Sequence, residues 1–166
     1  MVDINRVYQY ALDNNLIDQM GSAAGDIDFK IAVAVANPKV SVEIGTYRGI
    51  SAAYIAQFGI VHTFDTFDYA GKQKAWEDLG VAGNIHFHLI RTKEDIGQIL
   101  KDMNFDFAFV DDGHEYEQCK ADFELVKCCH RVIIHDVSHP FFTGVSQFAD
   151  EIGLTRLGNN GYWTDL

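Results

Sequence analysis

Short apolar runs of strand character alternate with segments whose apolar residues recur at helical spacing, and this alternation constrains the fold most. The clearest run, 105–110, is apolar at nearly every position, as expected of a strand buried on both faces of a parallel sheet. Strands are also predicted at the run containing Glu43 and at 60–65, 85–90, 131–134, 155–157 and 162–165. Helices are predicted at 51–57, 72–79, 95–103, 144–152 and from Tyr116 onwards. Strands that alternate with helices pair in parallel through right-handed crossovers, so the sequence predicts an α/β fold.

Two further helices are predicted before the first strand, over about 3–14 and 26–36, with Pro38 closing the second. The loop 20–25 between them consists mainly of small residues, and we expect that it can contact a ligand.

The length of the chain favours one domain. A chain of 166 residues with two prolines can bury one good core and is too short for two large domains. We therefore predict a single domain over 1–166, with N-terminal helices over 1–38 and the sheet core over 39–166.

Polar residues stand where the predicted strands end. They are Glu43, Asp65, Thr92, Asp111, His135 and Asp136. Because the carboxyl ends of parallel strands share one edge of the sheet, and ligands of such sheets collect there, we expect these side chains to border one site.

The turn after the first strand has a Gly45-xxx-Gly49 spacing, with Ser51 opening the next helix. Glycines at a strand-to-helix turn let the backbone approach a ligand, and the helix start offers free N–H groups. The GxGxxG loop of nicotinamide-dependent dehydrogenases is absent. The acidic residue Glu43, two positions before Gly45, would repel a pyrophosphate and suits a cationic or hydroxyl-bearing ligand.

Composition excludes some partners. Lys and Arg number 13 against 24 Asp and Glu, and a formal charge of −11 opposes binding to nucleic acid. No segment resembles a signal peptide or approaches the ~20 apolar residues of a membrane span, so we expect a soluble cytoplasmic protein with no membrane partner. The cysteines Cys119, Cys128 and Cys129 form no CxxC pair and are expected to be reduced.

Three blocks of sequence resemble class I S-adenosylmethionine-dependent methyltransferases. Residues 43–51 reproduce the ExGxYxGxS pattern of the catechol-type O-methyltransferases. Residues 105–114 and 133–137 resemble the FDxxFxDxxH and HDV blocks of a related compact branch. The resemblance implies a Rossmann-like, doubly wound, mostly parallel seven-stranded sheet with helices on both faces and an antiparallel last strand.

The resemblance also implies the cofactor contacts. The methionine part of S-adenosylmethionine would be held by Glu43, Gly45, Thr46, Tyr47, Gly49 and Ser51. Asp65 would hold the ribose hydroxyls, Thr92 would lie near the adenine, and Asp111 would border the cofactor. The cofactor's ammonium, carboxylate, sulfonium and diol are suited by carboxylates, helix-start N–H groups and an aromatic wall.

Catechol-type enzymes hold a divalent metal, and the corresponding positions here are Asp111, His135 and Asp136. A histidine ligand weakens the case for magnesium and suits manganese, iron or zinc, while a cluster of His and Asp can equally work without metal. His114, at the place of the family's lysine, is the candidate general base, with Asp111 as a second catalytic residue.

The predicted function is methyl transfer from S-adenosylmethionine to an oxygen of a small acceptor, with a non-catalytic cofactor-binding module or subunit as the alternative. The charge favours a neutral or cationic acceptor. The short loops leave an open site, which suggests a homo-oligomer. Phe141 and Phe142 are expected either to line the acceptor pocket or to pack, and His86 and His88 to be surface or packing residues rather than ligands.

Overall fold

The computed structural model describes residues 5–17 and 22–164. Its strands are β1 (Val40–Ile44), β2 (Ile60–Asp65), β3 (Ile85–Leu89), β4 (Phe107–Val110), β5 (Arg131–Ile134), β6 (Thr155–Leu157) and β7 (Asn160–Thr164). Its α-helices are α1 (Arg6–Asp13), α2 (Ile27–Ala36), α3 (Ile50–Ile55), α4 (Lys72–Leu79), α5 (Lys93–Leu100), α6 (Tyr116–Val126) and α7 (Thr143–Glu151). Short 3₁₀ helices occupy Ala23–Gly25 and Ala82–Asn84.

The seven strands form one sheet in the order β3-β2-β1-β4-β5-β7-β6. Strands β1 to β5 pair in parallel, β7 is antiparallel to β5, and β6 is antiparallel to β7. The predicted Rossmann-like sheet, mostly parallel and with an antiparallel last strand, is confirmed.

The strand register brings the ends of the central strands together. Ile44 pairs with Phe64 on one side and with Val110 on the other, and Val110 pairs with Ile134. The residues that follow these positions therefore meet at the same edge of the sheet, as predicted from the polar residues at the strand ends.

Alternating side chains give the sheet two apolar faces. On one face, α1 to α4 cover Phe107 and Phe109, and Phe29 of α2 lies 4.7 Å from Phe109 between ring centroids. On the other face, α5 to α7 cover Val110 and Ile134. Both faces of β4 are thus buried, as its continuous apolar run predicted.

Helix α5 begins two residues earlier than predicted. The carboxylate of Asp95 accepts hydrogen bonds from the backbone N–H groups of Arg91 and Thr92, at 2.8 and 3.1 Å. This bonding fixes Thr92 as the residue that precedes the helix and places Asp95 inside the first turn.

Within the described part of the chain, every helix is too short or too polar to cross a lipid bilayer.

Candidate functional site

The first residue of the turn between β1 and α3, Gly45, has a backbone conformation and surroundings that only glycine fits. Gly45 has φ +99°, and a Cβ placed on it would lie 2.1 Å from the backbone oxygen of Asp111. Tyr47 also adopts a left-handed backbone, with φ 45°. The turn therefore lies directly against the end of β4, which joins two of the predicted site elements.

Gly49 closes the same turn and precedes α3. A Cβ on Gly49 would lie 2.6 Å from the indole of Trp76, and the indole Nε1–H donates to the Gly49 carbonyl at 2.8 Å. Trp76 of α4 thus fixes the position of the helix start, where Gly49, Ile50 and Ser51 border the site.

Asp65, at the end of β2, is held by backbone donors. Its Oδ2 accepts from the N–H of Tyr47 at 2.7 Å, and its Oδ1 accepts from the N–H of Phe67 at 2.9 Å. A carboxylate has about four acceptor positions, so the side chain is oriented and still able to accept hydrogen bonds from a ligand's hydroxyl groups.

Glu43 is fully buried beneath the turn and does not border the cavity, unlike the direct contact that the sequence predicted. Thr63 donates to Glu43 Oε2 at 2.5 Å, and the hydroxyls of Thr63 and Thr46 lie 2.6 Å apart. Burial raises the pKa of Glu43 to about 8, although the nearby hydroxyls of Ser51 and Thr63 act in the opposite direction. Glu43 therefore supports Thr46 and Ser51, which do border the cavity.

His114 and Asp136 form a hydrogen-bonded pair on the other side of the cavity. His114 Nε2 lies 3.0 Å from Asp136 Oδ2, and Asn159 donates to Asp136 Oδ1 at 2.5 Å. Asp136 has φ 61°, a left-handed conformation that is uncommon outside glycine and is often found at functional sites. The hydrogen bond to Asp136 raises the pKa of His114.

His135 lies beside this pair with both ring nitrogens bound to carboxylates. Its Nδ1 is 3.1 Å from Asp111 Oδ1, and its Nε2 is 3.1 Å from Asp26 Oδ2, just before α2. Burial opposes the charged ring, but Asp111 and then Asp136 and Asp26 outweigh it and raise the pKa of His135 far above its ordinary value.

Two of the three predicted metal ligands, Asp111 and Asp136, lie together with His114. One possible ligand atom from each of Asp111, His114 and Asp136 lies within 4.8 Å of the other two. Among residues 5–17 and 22–164, this is the one group of His, Cys, Asp or Glu side chains whose atoms are already close enough to share a metal ion. His135, the third predicted ligand, lies beside this cluster, and its two ring nitrogens contact Asp26 and Asp111.

Aromatic rings surround the outer part of the site. The His114 ring stacks on Phe142 at 3.8 Å between centroids, and His139 also stacks on Phe142 at 4.3 Å. Phe142 therefore packs against the candidate base, whereas Phe141 is 84% exposed.

A cavity of about 380 Å³ joins the two sides, which is within the usual size range of small-molecule sites. Predicted residues that line it are Gly45, Thr46, Tyr47, Gly49, Ser51, Asp65, Asp111, His114, His135 and Asp136. Thr92, expected near the adenine, is not among the lining residues. Of the loop 20–25, which was predicted to contact a ligand, Ser22 and Ala23 line the cavity, while residues 18–21 lie outside the described part of the chain.

Phe67 and Tyr69 also line the cavity and were not predicted. Tyr69 packs edge-on against Tyr47 and against Phe67, with centroid distances of 4.6 Å in both pairs. Their position two and four residues after Asp65, beyond the end of a strand, was a signal that could have identified them. Asp26 and Asn159 carried no such signal, because each meets the site only through the tertiary fold.

The sequence matches the family described as a methyltransferase domain over residues 42–147. This match spans well over half of the chain, and the chain therefore belongs to this methyltransferase family. A search of curated proteins finds no match.

Solved structures of similar fold include several methyltransferases. An O-methyltransferase from Bacillus cereus in complex with SAH has a TM-score of 0.66 at 19% identity, covering 98% of this chain and 90% of that chain. One from Streptomyces achromogenes, involved in tomaymycin synthesis and in complex with SAM, has a TM-score of 0.65 at 19% identity, covering 98% and 88%. An SAH-bound methyltransferase from Podospora anserina has a TM-score of 0.69 at 15% identity, covering 99% and 89%. At these identities the likeness concerns the fold.

Proposed function

We propose that the chain transfers a methyl group from S-adenosylmethionine to an oxygen atom of a small-molecule acceptor. The observation that carries this proposal is one cavity with two chemically different sides. The Gly45–Gly49 turn and Asp65 border one side, and Asp111, His114 and Asp136 border the other. SAM and SAH are bound by methyltransferases of the same fold, which supports the choice of cofactor.

The β1–β2 side fits the cofactor. Backbone N–H groups at the start of α3 suit the methionine carboxylate, and the oriented carboxylate of Asp65 suits the ribose hydroxyls. Tyr47, Phe67 and Tyr69 supply aromatic surface for the adenine and the sulfonium. Glu43 acts from behind this surface, by holding Thr63 and through it Thr46.

The β4–β5 side fits the acceptor, with His114 as general base. If Nε2–H donates to Asp136, the neutral ring keeps an acceptor lone pair on Nδ1, as in other His–Asp pairs of catalytic sites. The acceptor oxygen forms a bond to the methyl carbon while the carbon–sulfur bond breaks, and its electron pair neutralises the sulfonium. The hydroxyl proton passes to His114 Nδ1, and Asp136 stabilises the resulting imidazolium. The products are the methyl ether and S-adenosylhomocysteine.

Asp111, His114 and Asp136 also fit a divalent metal ion. Two carboxylates with one imidazole suit manganese, iron or zinc better than magnesium. Such an ion would polarise the acceptor oxygen. His114 cannot ligate an ion and accept the proton with the same lone pair, so the effect of a chelator distinguishes the two uses.

The test is turnover of S-adenosylmethionine with a panel of neutral and cationic small molecules that carry hydroxyl groups. We expect S-adenosylhomocysteine to form with at least one acceptor, and mass spectrometry and NMR to locate the new methyl group on oxygen. Activity that survives treatment with EDTA supports His114 as base, whereas activity restored only by manganese or zinc supports the metal. Cofactor binding without turnover on any acceptor would favour a non-catalytic binding module.

We also propose that the chain forms a homodimer. Ile27, Ile31 and Val35 recur every four residues on α2, and their exposed fractions are 56%, 54% and 81%. This α2 stripe carries no charge. Because each copy has a formal charge of −11, most other surfaces of two copies would repel one another, and an uncharged stripe is a favourable place for contact. A two-fold contact would pair the α2 stripe of one copy with that of the other.

A further inference from the structure

Three histidines share one face of the sheet at its β3 edge, away from the cavity. His86 and His88 alternate along β3, and the parallel register pairs His62 of β2 with His86. The ring of His62 stacks with that of His86 at 4.8 Å and with that of His88 at 5.3 Å between centroids. None of the three lines the cavity.

Two of these rings already have nitrogens at the separation that a shared metal ion requires. His62 Nδ1 and His88 Nε2 lie 3.0 Å apart. Two imidazole nitrogens, each about 2.0–2.1 Å from one zinc ion, are separated by roughly 3.0–3.4 Å. In the metal-free chain these nitrogens share a hydrogen bond, so the donating ring must adopt its other tautomer before both lone pairs can turn toward an ion.

The charge state of the pair also suits a metal. Burial, followed by the neighbouring histidines, lowers the pKa of His62 and His88 below the ordinary value. A lowered pKa favours the neutral ring, which is the form that can bind a metal ion. Among residues 5–17 and 22–164, no carboxylate is hydrogen-bonded to either ring, in contrast to His114 and His135.

His86 can complete the set. It is exposed, so its side chain can rotate without disturbing the core, and it must rotate because its nitrogens do not yet converge with those of the other two rings. Alternate positions on one strand carry two imidazoles on the same side, which is a suitable spacing for joint ligation.

We propose that His62 and His88, with His86 as a third donor, form a binding site for a late first-row divalent metal ion such as Zn²⁺, Cu²⁺ or Ni²⁺. The site offers nitrogen donors without carboxylates, which favours these ions over Mg²⁺ and Ca²⁺. A bound ion cross-links the edge strand β3 to β2. The sequence favoured His86 and His88 as surface or packing residues rather than ligands, whereas this proposal assigns them as ligands. The proposal does not depend on the methyl-transfer reaction.

The experiment is a calorimetric titration of Zn²⁺ into the wild-type chain and five variants. The matched control is His130→Gln, an exposed histidine next to β5. We expect His62→Gln and His88→Gln each to lower the affinity for one equivalent of zinc by about tenfold or more, and His86→Gln to lower it less. His130→Gln should leave this equivalent unchanged. The fifth variant, Asp136→Asn, accounts for zinc held at the cavity cluster.

Nitrogen couplings in the electron paramagnetic resonance spectrum of one Cu²⁺ equivalent give a second readout. In the Asp136→Asn chain we expect two or three nitrogen ligands, and fewer after His88→Gln. Circular dichroism melts without metal establish that each variant folds. Equal zinc affinity in wild type, His62→Gln and His88→Gln would overturn the proposal. Loss of all zinc binding on the single substitution Asp136→Asn would also overturn it, because all of the zinc would then be held at the cavity cluster.

Discussion

The β1–β2 side of the cavity is shaped by backbone geometry, whereas the β4–β5 side is assembled from charged side chains. On the first side, a glycine that lies against the Asp111 carbonyl and two N–H donors to Asp65 determine the surface. On the second side, His114 is hydrogen-bonded to Asp136, and His135 forms an ion pair with Asp136. The two constructions predict that substitutions on the first side impair folding and cofactor binding, and that substitutions on the second side impair the reaction.

Gly45→Ala should cause the largest effect. The new Cβ meets the Asp111 carbonyl, and the left-handed backbone alone costs about 1–2 kcal/mol. Adding the overlap, we expect a loss of about 2–5 kcal/mol in the free energy of unfolding, and loss of S-adenosylhomocysteine binding. Urea unfolding and calorimetry measure these two quantities.

Gly80→Ala is the matched control for that substitution. Gly80 also has a left-handed backbone, with φ +74°, but its Cβ would meet no atom within 4 Å. We expect a loss of only about 1–2 kcal/mol and unchanged cofactor binding. Equal effects of the two alanines would show that close approach to β4 is unimportant.

His114→Gln should remove most of the reaction and little else. Loss of a general base lowers rates by about 10²–10⁴-fold, and we expect such a fall in kcat once an acceptor is known. Affinity for S-adenosylhomocysteine should stay within about threefold of wild type, because His114 belongs to the acceptor side. His130→Gln is the control, and an equal fall in both variants would contradict the role of His114.

Glu43→Gln should change how stability depends on pH. The pKa of Glu43 is raised from 4.5 to about 8 in the folded chain, so the stability from its protonation is fully present below pH about 4.5 and is lost as the pH rises through about 8. The neutral glutamine escapes this loss. Between pH 6 and pH 9, we expect the free energy of unfolding of wild type to fall by about 2–3 kcal/mol relative to that of the variant, since one pKa unit corresponds to about 1.4 kcal/mol.

The control for Glu43 is Glu117→Gln, on the exposed surface of α6. This variant should follow the wild-type dependence on pH. Parallel stability curves for Glu43→Gln and wild type would mean that Glu43 is not held in its protonated form.

Val35→Glu should have the smallest effect, confined to association. A charge in the α2 stripe should weaken the dimer at least about tenfold, as measured by sedimentation equilibrium, and leave the melting temperature of the monomer nearly unchanged. Gln147→Glu, which adds the same charge on the exposed side of α7, should not alter association. A wild-type chain that stays monomeric at high micromolar concentration would contradict the dimer.

The backbone side of the cavity could be predicted from the sequence because glycine spacing and strand ends are local signals. Gly45, Gly49 and Asp65 therefore lie where the pattern placed them. The side-chain network could not be predicted in the same way. His135 lies 3.1 Å from Asp26, 109 positions away in the sequence, and no local pattern predicts that pairing.

Two further departures have physical reasons. Thr92 is occupied at the start of α5, where Asp95 accepts its N–H, and it does not reach the cavity. Glu43 is drawn beneath the turn by Thr63. In both cases a hydrogen bond within the protein holds a residue away from the cavity, although its place at a strand end suggested contact with a ligand.

The central claim is that the β1–β2 side holds the cofactor independently of the reacting groups. Its most direct test is calorimetric titration of S-adenosylhomocysteine into wild type, Asp65→Asn and His114→Gln. We predict one equivalent per chain, affinity at least about tenfold weaker in Asp65→Asn, and affinity within about threefold of wild type in His114→Gln. No binding to the wild-type chain at high micromolar concentration, or a greater loss in His114→Gln than in Asp65→Asn, would contradict the claim.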